Sequence, residues 1–165
     1  MKHRGFALME LMLIVGLIAV IALGSWWAFG PVSTATIIER ESANLVALDQ
    51  AIQADYLTAQ DRYQSLSAQQ AVARNLAPKE WIDGPRMTSQ WLGSIVLEPV
   101  NAGQGFRVQF DQVPSDACMG LVTRNQKLFS EIHVGGVLVY QARTLNQTAL
   151  AESCFQSGEV AFDHH

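Results

Sequence analysis

Lys2-His3-Arg4-Gly5-Phe6-Ala7-Leu8-Met9-Glu10-Leu11 stands at the start of this chain, and Phe6 opens an apolar run, FALMELMLIVGLIAVIALGSWWAFG, whose single charge is Glu10. At about 1.5 Å per residue, a helix of about 25 residues crosses a bilayer core of roughly 30 Å, so residues 6–30 are expected to form a transmembrane helix. Lys2 and Arg4 precede the run and no basic residue follows until Arg40. That bias puts the N-terminus in the cytoplasm and the rest of the chain across the membrane. The competing reading is a cleaved secretory signal ending near Ala22-Leu23-Gly24. Against it, apolar character continues through Trp26, Trp27 and Phe29, and Glu10 would lie inside the signal's hydrophobic region. A carboxylate in a membrane span is costly, so Glu10 is expected to have a partner.

A short basic leader ending in Gly5, then Phe6, then Glu10 as the fifth residue after the break, resembles the processing motif of the type IV pilin family. The resemblance implies that residues 1–5 are a leader peptide, that a prepilin peptidase cuts between Gly5 and Phe6, and that the new N-terminus at Phe6 is methylated. It also implies that Glu10 attracts the N-terminal amine of a neighbouring subunit during docking, so that two buried charges compensate each other.

Outward from the apolar run, residues 31–66 carry Ile38, Leu45, Leu48, Ile52, Tyr56, Ala59, Tyr63 and Leu66 mostly three or four apart. This is helical periodicity over about eight turns. Glu39, Arg40, Glu41, Asp49, Gln53 and Asp61 read as its polar counterpart, and Gly24, Gly30 and Pro31 mark where the helix can kink. A coiled-coil seam is the alternative, but the stripe is short for one. Residues 67–165 then form one globular head, since about 135 residues outside the apolar run suffice for a single compact domain.

Within the head, Ala68 to Asn75 reads as a short helix, and Pro78, Gly84 and Pro85 as a loop with Trp81 and Trp91 as packing anchors. Ile95 to Val100 and Phe106 to Phe110 read as a hairpin about the turn Asn101 to Gly105. A helix capped by Ser115 or Asp116 is expected to run through Leu121 to Leu128 and Phe129. Val137 to Tyr140 is a strand, Asn146 to Phe155 a short helical turn, and Gly158 to His165 a last strand. The expected class is therefore α+β, and the resemblance implies a pilin fold, with a long N-terminal helix packed on an antiparallel sheet.

Cys118 and Cys154 are the two cysteines, with no C-x-x-C pair and no metal-ligand spacing. In an exported domain a disulfide is the natural reading; two buried free thiols are the alternative. The segment D-A-C-M-G-L-V-T, Asp116 to Thr123, resembles a helix of the type IVb pilins that is tied by a disulfide to a Cys-bearing turn before the last strand, which implies a Cys118–Cys154 bridge. The five-residue leader and Phe6 instead fit the type IVa branch.

Catalytic, P-loop, dinucleotide and metalloprotease motifs are missing from the sequence, so no catalytic site and no cofactor are expected. His133 reads as structural. Asp163, His164 and His165 offer a weak metal set but read as a solvated end, so no metal site is expected. Asn146-Gln147-Thr148 fits a glycosylation sequon and reads as a polar turn. The net charge is −4, with Lys and Arg scattered, and no nucleic-acid partner is expected. The resemblance to the type IV pilins implies the structural subunit of a filament, held in the bacterial inner membrane with its head in the periplasm and then assembled into an extracellular pilus. The partners that the resemblance implies are copies of itself, the prepilin peptidase, a pilus assembly ATPase and an inner-membrane platform. A minor pilin or secretion pseudopilin shares these features. A membrane-anchored enzyme or binding domain would need a constellation that the sequence lacks.

Overall fold

The computed structural model describes residues 14–15, 33–56 and 62–165. The leader, Gly5, Phe6 and Glu10 lie outside the described residues, as does the expected span over 6–30 apart from Ile14 and Val15, which are helical and exposed. Among the described residues no helix is long and apolar enough to cross a membrane. The chain divides into two compact units, Met1–Ser33 and Thr34–His165.

The second unit, the head, opens with helix α1, Thr34–Tyr56, which buries Ile38, Leu45, Leu48, Ile52 and Tyr56, the stripe that the spacing predicts. Each such side chain contributes about 1.5–3 kcal/mol on leaving water. The helix was expected to reach Leu66, but residues 62–65 are a turn. Tyr63 and Leu66 still join the core from that turn, and the Tyr63 ring lies 5.5 Å from Tyr56 and 5.0 Å from Phe106. Helix α2 is Ala68–Ala73, its N-terminus closed by the Ser67 hydroxyl, which accepts from the Gln70 N–H.

Strands β1 (Ile82–Asp83), β2 (Arg86–Thr88), β3 (Ser94–Val100) and β4 (Gly105–Phe110) follow as an antiparallel meander. Helix α3, Ser115–Asn125, then leads to β5 (Glu131–Val134), β6 (Val137–Gln141), β7 (Thr144–Leu145), α4 (Gln147–Gln156) and β8 (Val160–His164). The strand order is β1-β2-β3-β4-β8-β5-β6-β7, all neighbours antiparallel, so the last strand fills the centre of the sheet. Alternation puts Phe106, Val108, Phe110, Ile132, Val160 and Phe162 into the core. There Trp81 meets Phe110 edge-on at 5.5 Å, Phe110 meets Phe162 at 6.0 Å, and Phe129 meets Phe162 at 5.1 Å.

Two further expectations are corrected. Helix α3 has Pro114 at its cap with no side-chain capping bond, and Ser115 and Asp116 lie inside its first turn. The Asp116 carboxylate accepts instead from the Thr34 hydroxyl at 3.1 Å, while its charge favours the positive end of the helix. The helix also stops at Asn125, whose side-chain amide turns back to donate to the Leu121 carbonyl at 2.8 Å and the Ser42 hydroxyl at 3.0 Å. Phe129 reaches the core from beyond the helix, and Leu128 is exposed.

Candidate functional site

Cys118 on α3 and Cys154 on α4 form a disulfide, with Cα atoms 5.7 Å apart and a sequence separation of 36. Both are buried, beside Ala117, Leu121 and Val122 on one helix and Leu150 on the other. The bridge encloses β5, β6 and β7 in one covalent loop. Asn146 opens α4 by accepting the Ala149 N–H at 3.1 Å, so the expected polar turn is a helix cap. The residues just after each cysteine, Met119 and Phe155, are exposed.

Helix α3 runs alongside α1 in the same direction. Thr34 meets Asp116, Ser42 meets Asn125, and Arg124 lies 3.5 Å from Glu39. At Gly120 a Cβ would sit 2.9 Å from the Ile38 Cδ1, which sets how closely the two helices approach. The disulfide-bounded region is thereby anchored to the long helix.

Two carboxylates assigned by spacing to the polar face of α1 are buried. Glu41 is withdrawn from water; its Oε2 accepts from the Trp81 indole N–H and its Oε1 from the Gln90 backbone N–H, both at 3.0 Å. Burial pushes its pKa up, and the two donors offset part of that rise. Trp81, expected as a packing anchor, is fully buried and held by this bond. Asp49 accepts from the Gln53 amide at 2.6 Å, and its other oxygen lies 3.1 Å from His164 Nδ1. The His164 ring stacks on Phe106 at 5.2 Å. These links tie the helix to the loop before β3 and to the central strand. The signal for them was positional: Glu41 lies four residues before Leu45 and Asp49 four after it, within the apolar stripe.

The outer sheet face carries a polar row at one register: Glu98, Arg107, Asp163, Glu131 and Gln141 stand on adjacent strands. Arg107 grips the buried Asp163 with two bonds of 2.6 and 2.7 Å, which raise the guanidinium pKa. Gln141 donates to Glu131 at 2.7 Å. His133 Nε2 lies 3.5 Å from Glu131 and 3.6 Å from Asp163. The C-terminal end is not the solvated tail expected: Asp163 is buried and His164 turns inward. Glu131, Asp163 and His165 bring one ligand atom each within 4.8 Å of one another, a spacing that could hold a divalent ion, but both Asp163 oxygens already bind Arg107.

This geometry defines a class: a helix laid on an antiparallel sheet whose C-terminal part is closed by a disulfide and whose last strand is central. Residues 35–162 match the family model described as PilS N terminal. Among solved structures, a type IV b pilin from Salmonella typhi aligns with TM-score 0.63 and 18% identity, covering 77% of this chain and 99% of that one. TcpA, a type IV pilin from Vibrio cholerae El Tor biotype, aligns with TM-score 0.57 and 15% identity, covering 79% and 99%. No curated protein matches. The chain belongs to the PilS N-terminal family and has the fold of the type IV pilins.

Proposed function

We propose that this chain is a pilin, the repeating subunit of a type IV pilus, made as an inner-membrane precursor and assembled into an extracellular filament. The observation that carries the reading is the conjunction, in one chain, of Gly5-Phe6 followed by Glu10 with a head of pilin fold. In this reading a prepilin peptidase cuts after Gly5 and the Phe6 amine is methylated. Glu10 meets the amine of the adjacent subunit as apolar helices leave lipid for one another. An assembly ATPase and an inner-membrane platform supply the work. The disulfide-closed head favours a pilin over a pseudopilin and suits a domain that ends outside the cell.

The test is N-terminal mass spectrometry of the protein from cells with and without the peptidase. A chain beginning at methylated Phe6 only when the peptidase is present is the expected result. A start after Gly24, or an intact leader in both strains, would remove the processing step.

A further inference from the structure

We propose that Phe155 of one copy of this chain docks into the groove between α2 and the β2–β3 strands of the next copy, with Glu152 meeting Arg86. The inference rests on the filament-subunit reading and names the contact between heads. The groove has a volume of about 470 Å³ and is lined by Ala68, Pro85, Met87, Ile95 and Leu97, with Arg86 among its lining residues. Arg86 is exposed and makes no ion pair among the described residues.

Phe155 is 86% exposed, more than any other large apolar side chain among the described residues. An aromatic ring of this size removes about 150–250 Å² from water when it finds a pocket. Its backbone is held in place on α4, because the preceding residue, Cys154, is fixed by the disulfide. Little further ordering of that backbone is needed on docking. Glu152 lies one helical turn before Phe155, is exposed and lacks an ion-pair partner among the described residues, so it can approach the Arg86 guanidinium.

The two features cannot meet within one head. Helix α4 packs beside β5 and β6, the groove borders β2 and β3, and β2 is five strands from β6 in the sheet order. At about 4.8 Å per strand the separation is roughly 24 Å. A knob at one end of the sheet and a groove at the other give a contact between unlike surfaces, which repeats from copy to copy and builds an open helical polymer wherever the rotation does not close a ring.

The test is charge reversal and its suppression in the full chain, expressed with its assembly machinery and read as sheared filament per unit of total pilin. Glu152→Arg or Arg86→Glu alone is expected to lower filament yield about tenfold or more by placing like charges together, and the double variant to restore it. Phe155→Ala should lower yield as well. All three side chains are exposed, and disulfide formation and the thermal melt of each variant report that the head has folded. Single variants at wild-type yield, or a double variant no better than the worse single, would overturn the contact while leaving the filament reading in place. Wild-type cells without filaments would instead overturn that reading, and this contact with it.

Discussion

Glu41 sits on the helix that carries the fold, yet it is fully buried, and among the described residues its carboxylate accepts from two N–H donors and forms no ion pair. Truncation by Glu41→Ala leaves the Trp81 indole and the Gln90 amide without acceptors, and is expected to destabilise the head by about 2–4 kcal/mol in denaturant titrations. The pH dependence follows from the raised pKa. A carboxyl that holds its proton more tightly when folded contributes its full stability below the unfolded pKa and loses it as pH rises through the folded one. The stability gap between the wild type and Glu41→Ala should therefore widen as pH falls from neutral toward the ordinary carboxylate range. Composition gave no hint of this residue's role, since Glu is ordinarily a surface side chain. Its position in the apolar stripe did. Gly93 is a second residue whose identity is dictated by space: a Cβ there would collide with the Asp111 carbonyl. Gly93→Ala is expected to cost about 1–3 kcal/mol or more, read as a lower denaturation midpoint.

Elements were legible in proportion to their local signals. The hairpin β3–β4 and helix α4 fall close to where alternation, turn residues and Asn146 place them. Gly135-Gly136, both at positive φ, join β5 to β6 as a two-residue loop of the kind that twisted strands favour. The next turn was less legible because it breaks the rule: Ala142 and Arg143 hold φ of 50° and 64° between β6 and β7 without being glycine or asparagine. Left-handed backbone costs an ordinary residue about 1–2 kcal/mol, so replacing the pair with Asn-Gly is expected to raise the thermal midpoint of the head. The ends of α1 and α3 were misjudged for a different reason. Tyr63, Leu66 and Phe129 continue the helical spacing while reaching the core from turns, and spacing cannot tell the two apart. The bridge that joins α3 to α4 closes a loop with a sequence separation of 36. Opening it with Cys118→Ser and Cys154→Ser together is expected to cost about 4 kcal/mol in chain entropy, measurable by chemical denaturation.

At the scale of the whole molecule, the sequence order of the strands hides their spatial order. Nothing local to Val160–His164 says that it slips between β4 and β5; that follows from its two apolar-facing partners, Val108 and Ile132, both opposite Phe162. The central position means that the C-terminal residues are part of the core, and deletion of residues 160–165 is expected to abolish folding of the head. The candidate site was legible at its two ends for opposite reasons. Cysteine spacing with the flanking segment pointed to the bridge by resemblance, whereas the knob and groove at opposite ends of the sheet depend on which side chains the fold leaves uncovered. The proposed function requires that this chain is cut and built into a filament. Filaments sheared from producing cells and analysed by mass spectrometry test it most directly. The expected result is a fibre of this chain whose subunits begin at methylated Phe6 and carry the Cys118–Cys154 bridge, with Glu10→Ala abolishing the sheared fraction. A sheared fraction free of this chain, with the protein held in the cells and its leader intact, would overturn the proposed function.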